Sequence, residues 1–183
     1  MKPLEFMTFG YLIAFVLPGL IAARALGYAV PFLNLAFSRL LSSPEAAGPI
    51  FVVTVAALTA GLILNVIRRV VLDRVYRALD KDRPTLDYRR LTPDRHELFK
   101  DAVESTYRPY EFSANMGLAL ALFWLARVLL LPGALGLSRI VTHLSGLVAL
   151  LLLVLAQRQH LETYVILNNI LGAPDGDTKE KAR

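Results

Sequence analysis

At 183 residues, 55% of them hydrophobic and with a mean hydropathy of +0.49, the chain is too apolar for a soluble domain of its size. Its formal charge of +5 and pI near 9.7 come from interleaved acids and bases rather than a basic stripe, so nucleic-acid binding is not expected. The absence of cysteine excludes disulfides, thiol catalysis, iron–sulfur clusters and cysteine-ligated zinc, and no cofactor is expected.

The apolar residues gather in four blocks, at about 8–29, 49–67, 113–131 and 139–157. Each is close to the roughly 20 residues that cross about 30 Å of hydrocarbon. The expected fold is therefore all-α: an integral membrane protein with four transmembrane helices. A small cytoplasmic helical module is expected from the loop between spans two and three, together with extensions of helices two and four.

In chain order, Lys2 precedes the first block, and Ala23-Arg24-Ala25 offers a signal-peptidase-like pattern. The apolar run exceeds the usual h-region of about 7 to 15 residues, so an uncleaved first helix is expected. Pro18-Gly19 predicts a kink within it. The segment 31–41 mixes Phe32, Leu33, Leu35 and Phe37 with Asn34, Ser38 and Arg39, as an interfacial helix lying at the membrane surface would. The second span begins at Pro49 and its three- and four-residue spacing continues through Val70, Val71, Val75, Tyr76 and Leu79, predicting one helix over about 50–80.

Thr92-Pro93-Asp94 announces another helix, with a hydroxyl at the N-cap and proline in the first position. Leu98, Phe99, Ala102, Val103, Thr106 and Tyr110 line one face, and Asp94, Glu97, Asp101 and Glu104 the other. Pro109 is expected to break this helix before the third span, and the protruding second helix to cover its apolar face. Residues 68–112 thus form the module, 113–157 a membrane hairpin, 158–172 an extension of the fourth helix, and 173–183 a disordered tail.

Orientation follows from the excess of Lys and Arg in 68–112 over the opposite side, which carries Arg24, Arg39, Arg127 and Arg139. Both termini and the module are expected to face the cytoplasm, across a cell (inner) membrane.

Small residues recur at i, i+4 in every span: Gly19 with Ala23, Ala57 with Gly61, Ser113 with Gly117, Ser145 with Ala149. That spacing suits close helix packing within one chain or between copies. Asn65, Asn115 and Gln157 fall at one depth, as inter-helix hydrogen-bonding groups or the lining of an aqueous entrance. Arg24, Arg127 and Arg139 either snorkel or hold lipid phosphates and other anions. Leu98, Phe99, Val103, Tyr107 and Tyr110 are candidates for binding a partner.

No catalytic or metal-ligating pattern survives: His96-Glu97-Leu98-Phe99-Lys100 lacks the second histidine of a zinc-protease helix, and there is no G-x-S-x-G or phosphate-binding glycine loop. The expected role is non-enzymatic: a membrane anchor or sensor whose module binds a cytoplasmic protein or itself. An oligomeric pore triggered from the cytoplasm is the alternative. A membrane enzyme using Asp87, Asp94, His96 or Glu97 ranks third.

Overall fold

The computed structural model describes residues 4–42, 47–79, 86, 88–131 and 136–172; the expected tail at 173–183 lies outside them, as does Asp87. Every regular element among them is helical: α1 (Leu4–Gly27), α2 (Pro31–Ser42), α3 (Ala47–Ile67), α4 (Asp73–Leu79), a 3-10 turn at Tyr88–Arg90, α5 (Pro93–Ala102), α6 (Arg108–Leu130) and α7 (Leu137–Gly172). Two π-turns, Arg68–Leu72 and Val103–Tyr107, join α3 to α4 and α5 to α6. Three continuous helices are long and apolar enough to cross a membrane: Ala47–Leu79, Arg95–Leu130 and Leu137–Leu171. They become four if α1 and α2, which meet at a 118° bend, count as one span.

α1 lies between α3 and α6, and α7 packs along α6. The contacts follow from the small residues. A Cβ on Gly19 would collide with the Ala57 carbonyl oxygen, and one on Gly61 with the Phe15 carbonyl oxygen, so glycine at both positions lets the α1 and α3 backbones touch. On the other side, Gly117 leaves room for Leu153 and Gly146 for the Trp124 ring. The stripes of small residues are thus used within the chain.

The packing is inverted relative to a soluble protein. Ala22, Ala23, Ala57, Ala60, Ala114, Ala119, Ala149 and Ala156 are buried, whereas Phe51, Leu62, Leu129 and Leu150 are exposed. Close backbone approach through small residues, with large apolar side chains facing outward, is how helices associate in lipid.

Two expectations need correction. Pro109 does not break the helix: Arg95–Leu130 is continuous. The π-turn at 103–107 widens the helix directly ahead of the proline ring, which offers no N–H and needs room. α2 turns back from α1 and buries Leu33, Ala36 and Phe37 in the core formed with Ala22, Val53 and Ala60, while Phe32, Leu35 and Leu41 stay exposed. The face of α5 is covered by the end of α7, not by α4. Arg95 secures that contact by donating to the Ile170 carbonyl oxygen at 3.2 Å, near the helix end where carbonyls lack intrahelical partners.

Each π-turn also shifts the buried stripe. On α3 the inward positions run Gly61, Leu64, Arg68; seven residues on, Val75 is exposed and Tyr76 is buried. On the following helix Ala102 is buried, yet seven residues later Pro109 is exposed and Tyr110 is buried. In both helices the pattern slips by one residue, the extra residue that an i→i+5 turn accommodates.

Candidate functional site

Arg68 continues the inner stripe of α3, and so a guanidinium is carried into the bundle, where it is completely buried. Its Nη2 donates to Glu111 Oε1 at 2.8 Å and to Asn65 Oδ1 at 3.0 Å. Nε also reaches Asn65 Oδ1, at 3.3 Å, and Nη1 lies 3.5 Å from Asp73 Oδ1. Its Cζ sits 5.1 Å from the centre of the Tyr110 ring and 5.8 Å from that of Tyr107. The Tyr110 hydroxyl donates to Asp73 in turn.

The cluster also reaches α7. The Tyr76 hydroxyl donates to the Leu153 carbonyl oxygen at 2.8 Å. The buried His160 ring lies 4.8 Å from Tyr110, 5.7 Å from Tyr76 and 5.1 Å from Tyr164, centre to centre. Side chains from three helices therefore meet around one cation, at the level where both π-turns occur. Desolvating a cation and a carboxylate costs several kcal/mol each, which direct contact and further hydrogen bonds offset. The arrangement can clamp helices together, and can release them if the pair is broken. Among the described residues no group of three or more His, Asp or Glu is arranged to hold a metal ion.

The residues singled out from the sequence divide among several environments. Asn65 belongs to the Arg68 cluster. Asn115 is fully buried one turn beyond Glu111, and its amide has no hydrogen-bond partner among the described residues. Gln157 is half-buried on α7. No hydrogen bond joins these three among the described residues. Of the expected partner-binding face, Leu98 is exposed and Phe99 is half-buried with its ring edge-on to Tyr88. Val103 and Tyr107 are partly covered, and Tyr110 is wholly enclosed.

At the other end of the bundle, Arg24 and Arg127 converge on Tyr28. The Cζ atoms lie 4.6 Å and 5.9 Å from the ring centre. Arg139 is exposed and stands outside this group.

Arg68 reads in the sequence as one more cytoplasmic-side cation, and Glu111 draws no attention. A signal was nonetheless present. Glu111 is the single acid between Glu104 and Glu162, and it stands at the mouth of one apolar block while Arg68 stands at the mouth of another. No protein-family model, curated protein or solved structure matches this chain.

Proposed function

We propose that the chain is a four-span protein of the cell (inner) membrane, with both termini cytoplasmic, that acts without catalysis as an anchor and sensor. Its helical extensions take up a cytoplasmic protein partner or a second copy. The observation that carries this reading is the buried Arg68–Glu111 pair, which binds two helices at the level where they pass from apolar into polar sequence. A clamp there makes spans and extensions one mechanical unit, so an event at either end is felt at the other. Support for the membrane setting comes from the inverted packing, and for docking from the apolar side chains exposed on the extensions: Val75, Leu79, Leu98, Val165 and Ile166.

The test is the mass of the particle extracted directly into native nanodiscs, with co-purifying proteins identified, for the wild type and for Leu98→Ser. A dimer or a stoichiometric soluble partner is expected in the wild type and should be lost in the variant. A wild-type monomer without a partner would sink the reading. A larger homo-oligomer alone would favour the pore alternative. Any path in that alternative would run between copies, since Asn65 is held by Arg68 and Asn115 is enclosed within the chain.

A further inference from the structure

We propose that Arg24 and Arg127, gathered around Tyr28, form a binding site for a phosphate-class oxyanion at the end of the bundle opposite the Arg68 cluster. The two side chains come from the last turns of α1 and α6 and are brought together by the packing of those helices. Both guanidinium carbons lie within 6 Å of one ring centre. Aromatic faces attract each cation, with Phe37 5.5 Å from Arg24 and Phe123 5.5 Å from Arg127, but they do not neutralise it.

No carboxylate stands against either arginine among the described residues. The sequence restricts what else is available. Between Glu5 and Asp73 the single acid is Glu45, and between Glu111 and Glu162 there is none, whereas those two stretches carry Arg24, Arg39, Arg127 and Arg139 among their basic residues. The C-terminal ends of α1 and α6 supply about half a negative charge each, which offsets part of the two nearest cations. Both side chains are partly exposed, so solvent moderates their mutual repulsion without cancelling it. An anion removes that repulsion.

The two arginines divide the work. Arg127 is fixed: Nε donates to Thr142 Oγ1 at 2.8 Å, Nη1 to the Tyr28 hydroxyl at 3.0 Å, and Nη2 to the Ser138 carbonyl oxygen at 3.0 Å and to Ser138 Oγ. All four acceptors are neutral, so this side chain contributes a positioned charge. Arg24 donates to Asn34 Oδ1 at 3.1 Å and makes no other hydrogen bond among the described residues. The rest of its planar fork is free to grip a tetrahedral oxyanion in the bidentate manner that distinguishes Arg from Lys. The anion is either the phosphodiester of an acidic lipid or free phosphate. The lipid source rests on the membrane reading above; the free-anion source does not.

Detergent-purified protein would be titrated with phosphatidylglycerol, with phosphatidylcholine as the zwitterionic reference, and bound lipid counted by native mass spectrometry. In parallel, thermal stability would be followed against inorganic phosphate. The variants are Arg24→Gln, Arg24→Lys, and Arg158→Gln as an exposed control elsewhere on the chain.

The wild type and Arg158→Gln are expected to prefer phosphatidylglycerol, with affinity falling about tenfold in Arg24→Gln and less in Arg24→Lys. Stabilisation by inorganic phosphate that disappears in Arg24→Gln would assign the site to a free anion instead. If Arg24→Gln fails to fold, Arg24→Lys carries the same comparison. Wild-type indifference to both anionic probes, or a folded Arg24 variant that binds them as the wild type does, would overturn the proposal, whatever the oligomeric state or partner.

Discussion

The two ends of this molecule each organise an arginine, and they do so differently. Arg68 is wholly enclosed but faces Glu111 and Asp73, so its charge is met from within the chain. Arg127 is only half-buried and is held by hydroxyl and carbonyl groups, so its geometry is fixed while its charge is not. The first arrangement closes a junction. The second leaves a demand that something outside the chain can meet.

That contrast can be broken at its strongest point first. Arg68→Ala strands the buried Glu111 and should cost about 3–5 kcal/mol, whereas replacing both partners with apolar residues, as in Arg68→Met with Glu111→Leu, should recover much of the loss. SDS-induced unfolding in mixed micelles reads this; additive losses in the double variant would show that the pair is not coupled. At the opposite end Arg127→Gln strands no charge. It should cost about 1–3 kcal/mol, the scale of lost hydrogen bonds to a charged group, and its loss should not be relieved by removing any carboxylate. The smallest effect is expected from Gly146→Ala, whose new methyl presses on the edge of Trp124. The atoms met include Trp124 Cγ at 3.0 Å, close to the main chain, so the whole ring must shift and the cost should be about 1 kcal/mol, the low end of overpacking. Because Trp124 is the single tryptophan, its emission should shift while the Arg68 end keeps its stability.

Much of the architecture was legible because it rests on block composition: four apolar segments, a separate short helix from Pro31, the start of α5 at Pro93 and the long second helix all follow from local signals. The burial of particular side chains was less so. Val70, Val71 and Val75 mark a helical stripe, but it faces outward, and Tyr76 alone of that set turns in. Leu98 and Tyr110 look like one face, yet the first is exposed and the second enclosed, because a π-turn lies between them. The Arg68–Glu111 pair joins residues 43 positions apart, and no local pattern announces such a contact. The pairing of Arg24 with Arg127 through Tyr28 escaped for the same reason, although both arginines stood out as uncomfortable cations.

The one-residue slip at each π-turn has a consequence for length. An α-helix advances by roughly 100° per residue, so closing either π-turn into a regular α-turn with every residue kept would rotate everything beyond it by about that amount. Val75 would then turn inward in place of Tyr76, or Pro109 in place of Tyr110, with composition and hydropathy unchanged. The junction between the apolar and polar stretches of each helix is encoded in a count of residues as much as in their identity. At 68–72 and 103–107, deleting one residue would let the helix run as a regular α-helix with Tyr76 or Tyr110 still facing inward.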